Sequence, residues 1–144
     1  MLSQRAHYAL RALLVLAAQG ATAPMRTPQI AKAAHLSPKF LEVILLDLRK
    51  AGVLQSFRGC KGGFVLGRPA SAITFADIVK VTDGSLALSP CACEIAYARC
   101  KDCFDESYCE IRRALSAAQV TTTTILRSYD LAGAALRMKA AGKL

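Results

Sequence analysis

Thr27-Pro28-Gln29-Ile30-Ala31-Lys32-Ala33-Ala34-His35-Leu36-Ser37-Pro38-Lys39-Phe40-Leu41-Glu42-Val43-Ile44-Leu45-Leu46-Asp47-Leu48-Arg49-Lys50 is the stretch that decides the fold. It contains the same helix-start signal twice. Thr27-Pro28 and Ser37-Pro38 each set a capping hydroxyl before a proline, whose fixed φ suits a first helical turn. The first signal predicts a short helix, Thr27 at its N-cap and Pro28 at N1, running through Gln29 to Ala34. His35-Leu36 is then a tight turn. The second predicts a helix from Lys39 to Lys50 that stops at Ala51-Gly52. Phe40, Leu41, Ile44, Leu45 and Leu48 are expected to point inward, with Lys39, Glu42 and Val43 on another face near its start. Two short capped helices across so tight a turn are a helix-turn-helix. The N-terminal end of the second helix is the part that reaches base edges in a major groove.

Downstream, Val53–Phe57 and Phe64–Leu66 are short β-patterned runs. They flank Arg58-Gly59-Cys60-Lys61-Gly62-Gly63, a glycine-rich tip with two cations. A β-hairpin directly after a recognition helix is a wing, and Arg58 suits a narrow minor groove. Upstream, Ser3 caps an expected helix to Gln19, stopped by Gly20. Ala6, Leu10, Leu13, Leu14 and Ala17 recur on one face of it. After the wing, Thr74 and Asp77 form a capping-box pattern before Ile78–Val81, and Gly84 ends that helix. Ser85–Tyr108 has no period and is expected to be a loop. Glu110–Ser128 is helical in pattern, although Thr121–Thr124 is a β-branched run that favours helix poorly. Asp130–Met138 is a last short helix, and Ala140–Leu144 a frayed tail.

Charge points the same way. The 144 residues carry 19 Lys and Arg against 10 Asp and Glu, a net charge of +9. Residues 1–68 hold ten cations against only Glu42 and Asp47, and the remainder is nearly balanced. A basic N-terminal half attracts a polyanion and releases its counterions. The short apolar run Ala12–Ala18 followed by Ala21-Thr22-Ala23 has the look of a signal peptide, but it is better used as an amphipathic helix. No run approaches a membrane span. A cytoplasmic location is expected, where thiols stay reduced and six cysteines suggest metal or redox chemistry.

Five of the six, Cys91, Cys93, Cys100, Cys103 and Cys109, fall within nineteen residues. So dense a set of soft donors favours zinc or an iron–sulfur cluster. Only Cys100 and Cys103 have the C-x-x-C spacing of a zinc knuckle, and Cys91-x-Cys93 is too tight to be its usual mate. A thiol–disulfide oxidoreductase would use Cys100 and Cys103 but needs a βαβ context the chain lacks. No carboxylate pair, Ser/His constellation or phosphate loop points to an enzyme.

The chain resembles the Rrf2 transcription regulators over nearly its whole length. The resemblance lies in His7-Tyr8-Ala9-Leu10-Arg11, Ile30-Ala31 to Phe40-Leu41-Glu42, and Leu48-Arg49-Lys50-Ala51-Gly52. The wing Arg58–Phe64 with Leu66-Gly67, the Thr74–Asp83 segment, and a cysteine-rich loop before a long helix complete it. It implies a mainly α fold with a small β-hairpin wing. The expected units are residues 1–84 (winged helix-turn-helix), 85–109 (cysteine loop) and 110–144 (dimerisation helix and a short last helix). It further implies a homodimer on a pseudopalindromic duplex operator, in which residues 110–128 cross the partner. Thr27, Ser37, Pro38, Lys39, Glu42, Val43, Arg58 and Lys61 are the candidate DNA contacts. Apolar Val43 could meet only a thymine methyl or pack. His35 stands where glycine is common.

Many members hold an iron–sulfur cluster on three loop cysteines, which serves redox, iron or nitric-oxide sensing. Carried over, the first ligand is Cys91, the third Cys109, and the middle one Cys103 or Cys100. In some relatives a histidine three residues after the last cysteine is the fourth ligand, but Arg112 stands there and cannot ligate. His7, from the first helix of the partner, is one candidate, and a spare loop cysteine the other. A two-iron or a four-iron cluster fits equally. A regulator without a cluster, sensing through thiols or zinc, is the alternative. Cys60, at the wing tip, is expected to be only an exposed thiol.

Overall fold

The computed structural model describes residues 2–20 and 23–143. Ala21-Thr22 of the cleavage-like tripeptide and Leu144 of the tail lie outside the described residues. The order is α1 (Gln4–Gln19), α2 (Thr27–Ala34), α3 (Pro38–Lys50), β1 (Leu54–Phe57), β2 (Gly63–Leu66), α4 (Phe75–Asp83), α5 (Glu110–Ser128) and α6 (Leu131–Ala140). Single 3-10 turns lie at Ala70–Ala72 and Pro90–Ala92.

The Ser3 hydroxyl accepts from the Ala6 N–H at 3.1 Å and so caps α1. The same residue ties α1 to the end of α4: the Ser3 N–H donates to Asp83 Oδ2 at 2.8 Å, and its hydroxyl donates to Oδ1. Two nearby expectations need correction. Helix α2 begins one residue early, with Arg26 rather than Thr27 at the N-cap. The cap works because Gln29 Oε1 reaches back to the Arg26 N–H at 2.8 Å, so no capping hydroxyl is needed. Ser37 does occupy the N-cap of α3, but its side chain makes no cap bond. His35 between the helices adopts the left-handed conformation, with φ 52°.

Leu41, Ile44, Leu45 and Leu48 of α3 are buried, each worth roughly 1.5–3 kcal/mol against exposure. Phe40 is not: it is 69% exposed and lies off the buried stripe. Helix α1 also departs from a single-faced helix. Ala9, Ala12, Val15 and Leu16 are buried beside Ala6, Leu13 and Leu14, so its second half is enclosed nearly all round. The covering element is α6, whose Leu131, Ala134 and Ala135 enter the same core. Two backbone bonds bring α6 there: Leu131 N–H to the Ile73 carbonyl at 3.0 Å, and Phe75 N–H to the Tyr129 carbonyl at 2.9 Å.

The antiparallel hairpin pairs Leu54 with Leu66 and Phe57 with Gly63. Met25, just before α2, adds a third edge by exchanging backbone bonds of 3.0 and 2.8 Å with Phe64. The capping box at Thr74 is present, with both reciprocal bonds to Asp77, and Gly84 follows the end of α4. Helix α5 runs straight through the threonine run. Thr121 and Thr124 satisfy their hydroxyls on the Ala117 and Val120 carbonyls, each at 2.9 Å, so the residues fit without buried polar groups. None of its residues is buried. Among the described residues no helix is long and apolar enough to cross a membrane.

Candidate nucleic-acid interface and cysteine site

The first turns of α2 and α3 and the hairpin face one another across a cleft of about 530 Å³. Arg26, Thr27, Pro38, Lys39 and Glu42 line the helical side, and Gly59, Gly62 and Gly63 the wing side. Both helix N-termini open on it, which adds partial positive charge to the cations. Arg26 fastens the walls together, its Nη2 donating to the Cys60 carbonyl at the wing tip. Ser37, Arg58 and Lys61 are exposed, the last two at the wing tip. Lys39 and Glu42 thus share the cleft with Thr27 and Pro38. Val43 is not among its lining residues. It lies beside Phe40 in a separate hollow of about 650 Å³ against α1, lined also by Gln4, Arg5, Tyr8 and Ile44. Arg26 is the cleft residue that sequence reasoning missed; its only signal was a cation directly before Thr27-Pro28.

The cysteine loop folds against the start of α5. Cys91 and Cys93 are buried, Cys103 and Cys109 half-buried, and Cys100 exposed. Cys91 lies 3.2 Å from the Ser89 hydroxyl. Hydrogen bonds from Ser89 and Cys100 hold the Cys91 thiol below its ordinary range, with Arg112 helping. Cys100 is pushed up, first by its hydrogen bond with Cys91, then by desolvation and the charges of Cys91 and Cys103. Cys91 and Cys100 thus share a hydrogen bond, and Cys103 is tied to Cys100 through the backbone, its N–H donating to the Cys100 carbonyl at 3.2 Å. Cys109 occupies the N-cap of α5, its sulfur accepting from the Arg112 N–H at 3.4 Å. Arg112 Nε in turn donates to the Cys91 carbonyl at 3.0 Å, so one residue bridges the two cysteine positions. Cys93 is set apart, bonded to Ser85 and the Ala96 N–H, which lower its pKa. His7 is exposed on α1.

In chemistry this donor set suits an iron–sulfur group: soft thiols with a guanidinium beside them to offset thiolate charge. Among the described residues no three of His, Cys, Asp or Glu stand together in a way that could hold a metal ion. One chain alone thus brings the thiols near each other without a finished site.

A helix-turn-helix whose second helix runs into a cation-tipped hairpin defines a winged-helix DNA-binding protein. The chain belongs to the Rrf2 family: the family model, described as an iron-dependent transcriptional regulator, matches residues 2–135. An rrf2-like HTH-type transcriptional regulator of Rhodobacter capsulatus is 37% identical over 134 residues, 91% of this chain and 89% of the relative. Among solved structures, CymR, the global cysteine regulator of B. subtilis, superposes with a TM-score of 0.77 at 27% identity, covering 95% of this chain and 97% of its own. T. potens IscR gives 0.70 at 26%, covering 97% and 88%. These relatives are transcriptional regulators, and the winged-helix fold expected from sequence is the fold observed.

Proposed function

We propose that this transcriptional regulator is a repressor that binds a pseudopalindromic operator as a homodimer, under the control of an iron–sulfur cluster held by the cysteine loop. The carrying observation is the Arg112 bridge that joins Cys109, at the first turn of α5, to Cys91 in the loop, with Cys100 hydrogen-bonded to Cys91. Cys91 and Cys109 are the outer ligands in this reading, Cys103 or Cys100 the middle one. His7 of the partner chain or a spare loop thiol completes the set. When bound, such a group supplies reversible one-electron and ligand-exchange chemistry. The chain's own part is to hold the thiols, with Arg112 offsetting their charge, and to tie the loop to α5. Lys39 and Glu42 face bases, Thr27, Ser37 and Pro38 contact DNA beside them, Arg58 enters the minor groove and Lys61 contacts DNA from the wing tip.

Operator control through thiols or zinc without a cluster is the second reading. The proximity of Cys91 and Cys100 and the likeness to a cysteine regulator favour it. Anaerobic purification separates the two. The first reading expects a coloured protein with iron and acid-labile sulfide, bleached by Cys91→Ala and by Cys109→Ala. A protein that stays colourless and iron-free after reconstitution sinks it, and stoichiometric zinc supports the second. If Cys100→Ala bleaches the sample and Cys103→Ala does not, Cys100 is the middle ligand.

A further inference from the structure

Residues 94–102 of the cysteine loop are exposed throughout, so no buried side chain fixes their course. Polar contacts fix it instead. The Ala98 N–H donates to the Pro90 carbonyl at 3.1 Å and folds this stretch back over the Cys91 turn. Glu106 accepts from the Tyr97 hydroxyl and lies 3.6 Å from Arg99 Nε. Arg99 Nη2 donates to the Cys103 carbonyl at 3.1 Å. Over the face of Tyr97 lies the Arg112 guanidinium, 5.6 Å from the ring centroid and within cation–π range.

Tyr97 is the joint of this clasp. Its ring holds the arm that ends, through Arg112, on the Cys91 carbonyl and at Cys109. Its hydroxyl holds the arm that ends, through Glu106 and Arg99, on the Cys103 carbonyl. Cys93 lies outside both arms, its sulfur accepting from the Ala96 N–H at 3.2 Å. An isolated polar contact on a surface is worth little, because water competes for both partners. In a chain of contacts each group orients the next, so losing the joint releases both arms.

We propose that Tyr97 is the positioning residue of the cysteine site, holding Cys91 through Arg112 and Cys103 through Glu106 and Arg99 before any metal or oxidant reaches the thiols. The inference deepens the sensor reading of the loop and rests on it for its bearing on regulation, but the clasp itself needs no cluster. Thiols held in this way meet an incoming ion with less ordering left to do.

The test uses the full chain, freed of metal by a chelator and kept reduced. Iodoacetamide is added, and alkylation of each cysteine is timed by peptide mass spectrometry. Cys91 and Cys93 are buried and react slowly, and exposed Cys60 is the fast reference. Tyr97 is 48% exposed and outside the core, so its replacement leaves the fold intact. Tyr97→Leu removes both arms and is expected to speed Cys91 roughly fivefold, with Cys93 and Cys60 unchanged. Tyr97→Phe keeps the ring, so Cys91 stays slow and only Cys103 quickens. Arg112→Gln reproduces the Cys91 effect, and combining it with Tyr97→Leu adds little, because both break one contact. An unchanged Cys91 in Tyr97→Leu overturns the proposal, and so does a parallel rise at Cys93, the mark of a loop that has merely loosened. Iron content of the anaerobically purified wild type is read separately. An iron-free protein with the expected alkylation pattern sinks the cluster reading and leaves the clasp standing.

Discussion

Gly63 sits where Met25 crosses the hairpin, with φ 152°, a conformation that side-chain-bearing residues rarely adopt. A Cβ there would stand 2.6 Å from the Met25 carbonyl group. Gly63→Ala must therefore break the Met25–Phe64 pairing or twist the wing. It should cost about 1–3 kcal/mol, measured as a lowered urea midpoint. Asp83 makes a different kind of prediction. Burial works to raise its carboxyl, but hydrogen bonds from the Ser3 hydroxyl and backbone outweigh this and hold it below the ordinary value of 3.8. A carboxylate lowered in the folded state stabilises fully above its unfolded value, and that contribution is lost as pH falls through the folded one. Urea midpoints of wild type and Asp83→Asn should then differ by a constant amount above about pH 5 and converge below 3.8. A gap that persists at low pH would show that the bonds to Ser3 do not depend on the charge. The Ser3 cap was readable from its place before an apolar-periodic run. Its bond to a residue eighty positions away was not, because local pattern carries no information on which helix ends meet.

Most elements were legible because each is bounded by strong local chemistry: Ser3, Pro28, Pro38, Gly52, Thr74 with Asp77, and Gly84. Errors fell where a second local signal competed or where the edge of a buried stripe left a residue's side open. Gln29 capped α2 in place of Thr27, and Phe40 faced outward although its spacing suits either side of a buried stripe. The third edge at Met25 is one residue pair long, too short for any periodicity. Helix α5 carries the clearest prediction at this scale. Ile111, Ala114, Ala118, Thr121 and Ile125 recur at three and four residues, and all are exposed. That is a seam for another helix, with small residues allowing close approach. If the proposed homodimer uses this stripe, Ile125→Glu should shift sedimentation from dimer to monomer at micromolar concentration while leaving the far-ultraviolet circular dichroism unchanged. A dimer that survives the charge would move the interface off this stripe.

Over the whole molecule, charge and function separate along the chain. The first 68 residues hold eight of the nine net positive charges, and they build the cleft and wing. If the Arg58 guanidinium meets phosphate or lies in a minor groove, Arg58→Ala should weaken operator binding and lower the slope of log affinity against log salt by about one. Binding titrations at several potassium chloride concentrations measure both, and an unchanged slope would leave Arg58 outside the interface. The cysteine site was legible as a set of donors and not as a geometry, since spacing along a loop without periodic structure does not fix which sulfurs meet. The return of α6 to α1 was hidden for a related reason: a short alanine-rich helix offers few clues to what it covers. That return has a consequence for how the protein is made. Leu131 joins a core begun at Ala9, so on a ribosome-bound chain that core gains its last wall only when α6 has left the exit tunnel. The core beneath the cleft and wing is therefore complete only when the thiol-rich loop and α5 have already been synthesised.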